Sequence, residues 1–84
     1  MKIIWTKLAL KRVNEIADYL AVESSEAAKL WLIDAFGVVE RLEEFPRSGR
    51  KVPEINRDNL REIILKKYRI IYRIGAKRIY ILTI

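Results

Sequence analysis

From Tyr68 to Ile74 every even position is apolar or aromatic, while the odd positions are Arg69, Ile71 and Arg73. Side chains alternate along a strand with period two, so this run predicts a strand with one core face and one basic face. Gly75-Ala76 reads as a hairpin turn into a further strand, Lys77 to Ile84. A two-residue loop pairs Ile74 with Lys77 and a four-residue loop pairs it with Ile79. Both registers gather Ile70, Tyr72, Ile79 and Ile81 on one side and Arg69, Ile71, Arg73, Arg78, Tyr80 and Leu82 on the other. Leu60 to Leu65 predicts the preceding strand, although its joint, Lys66-Lys67, lacks the glycine or asparagine favoured in a tight hairpin. If Leu65 faces Tyr68, Glu62 falls on the basic face opposite Ile71, a carboxylate inside an arginine cluster. Charge compensation is its plainer role and catalysis the sharper one.

Upstream, Lys2 to Trp5 is a short β-branched run suited to a first strand, and Thr6 can cap a helix. Ala9, Val13, Ile16, Ala17 and Leu20 recur at helical spacing, with Lys11, Arg12, Glu15 and Asp18 on the opposite face. Ser24 or Ser25 breaks this helix and caps a second, whose stripe is Ala28, Leu32, Ala35, Phe36, Val39 and Leu42. The two form a helical hairpin. Trp31 lies off the stripe and either covers the hairpin seam or stays partly open as a contact residue, the first being preferred since tryptophan is highly buried on average. Gly37 costs about 1 kcal/mol relative to alanine inside a helix, which predicts a close backbone approach there by the first helix or by a strand. Pro46 and Gly49 end the helical region and open a polar, basic loop reaching Asn59. The expected core is Val13, Ile16, Leu20, Leu32, Phe36, Val39, Leu42, Ile63, Ile70, Tyr72, Ile79 and Ile81.

Eighty-four residues are expected to form a single domain spanning residues 1–84, of α+β class: strand, helical hairpin, three-stranded antiparallel meander. With no cysteine and no histidine, disulfides and the usual zinc ligands are excluded, and no metal or cofactor is expected. No apolar run approaches the roughly 20 residues needed to cross a bilayer, so a soluble, cytoplasmic protein is expected. The net charge of +6 is unevenly placed. Residues 1–42 carry six basic and six acidic side chains, whereas residues 43–84 carry eleven basic and five acidic. At about 7 Å, two like charges repel by roughly 0.6 to 2.4 kcal/mol for effective dielectrics of about 80 to about 20. A face that flanks Ile71 with Arg69 and Arg73, and sets Arg73 across the ladder from Arg78 or Tyr80, is therefore matched to an anion, whether nucleic acid or an acidic protein segment.

Four pieces in order carry a resemblance: Trp5-Thr6 with Ala9, the loop Phe45-Pro46-Arg47-Ser48-Gly49-Arg50-Lys51-Val52-Pro53-Glu54, Leu60-Arg61-Glu62, and Tyr68-Arg69-Ile70-Ile71-Tyr72. Together they resemble the RelE/ParE superfamily of type II toxins over essentially the whole chain, and Gly49-Arg50 with Val52-Pro53-Glu54 is most similar to the ParE branch. The resemblance implies a growth-arresting toxin, of a kind linked to plasmid stabilisation, neutralised in a hetero-oligomer by a cognate antitoxin. In the ParE branch it implies DNA gyrase as target; in the RelE branch, ribosome-dependent mRNA cleavage, with Arg69 near the scissile phosphate. Under that alternative the candidates are Arg69, Arg73 and Arg78 as cations with Glu62 or Tyr80 for proton transfer. The lysines some RelE-branch toxins use fall near Glu62 and Ile64, and no histidine is present. No complete enzyme constellation emerges, and the ParE-like reading is preferred. Arg50, Arg61, Arg69, Ile71, Arg73, Arg78, Tyr80 and Leu82 are the expected target- and antitoxin-binding residues. A non-toxic relative that binds RNA or protein is a further alternative, with Tyr80 offering a ring on which bases can stack.

Overall fold

Thr6 carries the chain from its first strand into its first helix. In the computed structural model, which describes residues 1–84, β1 (Lys2–Trp5) precedes α1 (Lys7–Ala21), and the Thr6 hydroxyl accepts the Ala9 N–H at 3.2 Å. The same hydroxyl donates to the Ile81 carbonyl at 2.7 Å, so the helix cap is also the tie to the last strand. Ser24 caps α2 (Ser25–Glu40) in the same way, its hydroxyl accepting from the Ala27 N–H at 3.1 Å, with Glu26 in the first turn. A single 3-10 turn, Arg41–Glu43, buries Leu42 and leads to the strands β2 (Arg50–Lys51), β3 (Leu60–Leu65), β4 (Tyr68–Ile74) and β5 (Arg78–Thr83).

The five strands form one sheet in the order β1-β5-β4-β3-β2. The meander β3-β4-β5 is antiparallel as expected, and β1 lies parallel to β5 at one edge, with Ile3 opposite Ile79 and Trp5 opposite Ile81. Leu65 faces Tyr68 across the Lys66-Lys67 joint, where Lys66 takes a φ of 55° in place of glycine. Ile74 faces Ile79, which selects the four-residue loop. A bulge between Ile71 and Tyr72 brings Thr83, not Leu82, opposite Ile71.

Both helices lie on one face of the sheet. Ala9, Val39 and Leu42 pack against Ile70, Tyr72, Ile74, Ile79 and Ile81, while Val13, Trp31 and Ala35 form a second cluster beside Tyr68 and Leu65. The buried stripe of α2 is Ala28, Trp31, Ala35 and Val39, which runs through Trp31 and corrects the expected placement of Phe36. One position beyond Ala35 turns a helical side chain by about 100°, so Phe36 is 42% exposed and rests its ring on Trp5, centroids 4.9 Å apart. Trp31 is 2% exposed and meets Tyr68 edge-on at 5.5 Å. Ile16, Leu20, Leu32 and Ile63 are half-buried at the core margin.

Gly37 also departs from expectation. A Cβ built there meets nothing within 4 Å, so no element approaches its backbone. Gly37→Ala is therefore expected to stabilise the fold by about 0.5–1 kcal/mol in denaturant titration, because it removes backbone entropy without a clash. In the same experiment Trp31→Ala should cost about 3–5 kcal/mol and Phe36→Ala only about 1–2 kcal/mol. Equal losses for the two aromatics would contradict this packing.

Candidate functional site

The helices leave the other face of the sheet open. Period-two alternation and the strand register bring to it Lys2 and Ile4 from β1, Arg78 and Tyr80 from β5, Arg69, Ile71 and Arg73 from β4, Glu62 and Ile64 from β3, and Arg50 from β2. Six of the eight expected binding residues thus share one surface. Arg61 does not. It faces Tyr72 in the register and so lies on the helix side, its guanidinium donating to the Gly49 carbonyl at 2.8 Å and the Asp58 carboxylate at 2.8 Å. It clamps the loop rather than presenting a charge. Leu82 is displaced by the bulge and has no partner in the β4 register.

The open face has two unlike halves. In the first, the Glu62 side chain is fully buried between two arginines, accepting from Arg50 Nε at 2.6 Å and Arg69 Nε at 2.7 Å. Arg69 reaches on to Glu54, its Nη1 and Nη2 donating to the two carboxylate oxygens at 2.8 and 3.0 Å. The fork geometry satisfies every donating nitrogen of Arg69 with a carboxylate. That bonding holds the Glu54 carboxyl below its ordinary range and pushes the Arg69 guanidinium upward, Glu54 contributing most and Glu62 next. Two cations and two anions cancel here.

In the second half, Arg73 lies over the Tyr80 ring at 4.5 Å from its centroid, beside Arg78, Lys77 and Lys2. None of these four cations has a carboxylate partner. Three of the basic residues behind the charge excess of residues 43–84, Arg73, Lys77 and Arg78, thus meet Lys2 at one corner of the sheet.

Gly49 is the residue that lets the first half assemble. A Cβ at this position would stand 2.6 Å from the Glu62 carbonyl oxygen and 2.6 Å from the Tyr72 hydroxyl, closer than any side chain permits. Its bare backbone instead donates to the Tyr72 Oη at 3.1 Å, and that hydroxyl donates to the Pro46 carbonyl at 2.7 Å. Pinned at this point, the chain enters β2 with Arg50 opposite Glu62. Sequence reasoning singled out Gly49-Arg50 and Glu54 but placed Tyr72 only in the core. The signal for its second role was the pairing of a buried tyrosine, which needs a hydroxyl partner, with a loop glycine.

Tyr72→Phe should leave the Gly49 N–H and Pro46 carbonyl unpaired and cost about 1–3 kcal/mol. Burial pushes the Tyr72 phenol above its ordinary value, opposed by the Gly49 hydrogen bond and the Arg61 and Arg47 charges. A value raised on folding contributes stability that is complete below about pH 10 and lost as pH rises through the folded value. Alkaline denaturation should therefore be blunted in Tyr72→Phe, and an identical alkaline limb in both proteins would refute the assignment. Gly49→Ala should cost about 1–3 kcal/mol through overpacking.

Comparison with known proteins places this architecture. The family described as "ParE toxin of type II toxin-antitoxin system, parDE" matches residues 3–84. Among solved structures, one described as "Chromosomal ParDE TA system from P. aeruginosa" is similar at a TM-score of 0.80 with 24% identity, covering 99% of this chain and 91% of that one. A search of curated proteins returned no match. With a family match over residues 3–84, nearly its full length, the chain belongs to the ParE toxins of type II toxin–antitoxin systems.

Proposed function

We propose that this protein arrests growth in the cytoplasm by poisoning DNA gyrase, and that a cognate antitoxin holds it inert. The observation that carries the choice of target is the state of Arg69. A ribonuclease of this fold would use that arginine to stabilise a phosphorane, which needs guanidinium donors free to meet a phosphate. Here Nε, Nη1 and Nη2 are all committed to Glu62 and Glu54. Transfer of a proton from a 2′-hydroxyl also needs an accessible base. Glu62 is buried within its ion pairs and Glu54 is held by Arg69, so neither carboxylate serves. ParE family membership supports the gyrase reading independently.

For the antitoxin, the supporting feature is the outer stripe of α2, where Leu30, Ile33 and Phe36 are 51%, 60% and 42% exposed at successive three-residue steps. An amphipathic segment laid along this stripe would bury all three.

In a supercoiling assay the purified protein should inhibit gyrase or trap cleaved DNA, while mRNA on translating ribosomes stays intact. Codon-phased cuts abolished by Arg69→Ala would reverse this assignment. Ile33→Asp should preserve toxicity yet abolish rescue by the co-expressed antitoxin. Full rescue of that variant would move the antitoxin to the sheet face.

A further inference from the structure

The unpaired corner of the sheet has no role in the Arg69 network, and its chemistry differs from it. Lys2 stands opposite Arg78 in the register, on neighbouring strands about 4.8 Å apart. Arg73 stands opposite Tyr80, two residues along from Arg78 and so about 7 Å from it on the diagonal. Lys77 extends the group from the exposed turn. None of the four cations makes a salt bridge, and their hollow is lined by Lys2, Ala76, Lys77, Arg78 and Tyr80, with no carboxylate. Elsewhere on the face, Arg50 and Arg69 are each neutralised at hydrogen-bond distance. Four cations left together without a counter-charge repel one another, a cost that an external anion relieves.

We propose that Lys2, Arg73, Lys77 and Arg78 form a binding site for the phosphate backbone of duplex DNA. Three features select that occupant. A protein partner would need an apolar centre and would avoid lysine, yet the hollow offers only the Ala76 methyl and a half-buried Tyr80 ring. Protein–DNA interfaces, by contrast, are polar and strongly positive. An unpaired base would need a free aromatic face, but Arg73 already covers the Tyr80 ring at 4.5 Å. Finally, the hollow holds no carboxylate or amide side chain to read a base edge, so its contacts are those of cations with phosphate oxygens, which a regular duplex backbone presents. Tyr80 thus orients Arg73 rather than stacking with the ligand. The site supplies sequence-independent contacts, and it stands whether or not gyrase is the target because it concerns DNA alone.

The test is fluorescence anisotropy of the full chain with a mixed-sequence DNA duplex over a salt series. Neutralising three to four phosphates predicts a log–log salt slope near −3, or a loss of roughly 40- to 150-fold in affinity between about 50 and 200 mM salt. Arg73→Gln, Lys77→Gln and Arg78→Gln should each flatten the slope by about 0.9. Lys29→Gln, an equal charge change on exposed α2, should not. All of these positions are exposed, and an unchanged melting temperature verifies each fold. No binding at low salt, slopes unaltered by the three variants, tighter binding of single strands or of duplex RNA, or equal binding of a charge-matched polyglutamate would each overturn the proposal. The last result would identify an acidic protein as the occupant.

Discussion

Glu62 is the one carboxylate that folding buries, and the open face is organised around it. A charge removed from water is tolerated only when paired and hydrogen-bonded, and here both oxygens are held, by Arg50 and by Arg69. Each partner comes from a different segment: Arg50 from the edge strand that Gly49 allows to close, Arg69 from the middle of the meander. Arg69 in turn recruits Glu54 from the loop that follows β2. Tyr72, Gly49, Arg50, Glu62, Arg69 and Glu54 are thereby linked through direct contacts into one path from the core to the solvent. Paired ions at a partly exposed surface add little stability by themselves. Their consequence is positional, since they fix which arginines are occupied and which remain open.

Composition merges two properties that the folded chain separates. The net charge of +6 suggests a uniformly basic protein, yet half of the open face is electrically quiet. A phosphate arriving at Arg69 would have to displace carboxylates already in fork geometry. One arriving at Arg73 or Arg78 would meet bare cations. Sequence-independent attraction to DNA and a specific protein target are compatible within such a layout, because the first draws on the turn end of β4 and β5 and leaves the α2 stripe and the opposite sheet edge free.

Much of this is legible in the amino-acid sequence. Period-two alternation in β3, β4 and β5 predicted the meander, the basic face and the place of Glu62 within it, because a strand's faces follow directly from its register. Helix faces were less determinate. Trp31 and Phe36 are both plausible neighbours of Ala35, and only packing against Tyr68 and Trp5 decides which turns inward. Gly37 departs from expectation because a helical glycine signals either a close approach or nothing, and sequence does not distinguish the two. Arg61, the immediate neighbour of Glu62 along β3, alternates to the helix side, although its charge resembles that of the open face. The bulge at Leu82 lies where the Thr6 hydroxyl reaches the Ile81 carbonyl across most of the chain, a long-range contact with no local signature.

The division of the face into an occupied and an open half is most directly examined at the arginine side chains themselves. Hydrogen exchange of the individual Nε–H groups, followed by nitrogen-15 NMR near neutral pH, reports whether each is held by an acceptor. The structure predicts slow exchange and sharp signals for Arg50 and Arg69, both bonded to Glu62 through Nε, and rapid exchange for Arg73 and Arg78. Exchange at Arg69 as fast as at Arg73 would contradict the account, because it would return a free guanidinium to the centre of the face.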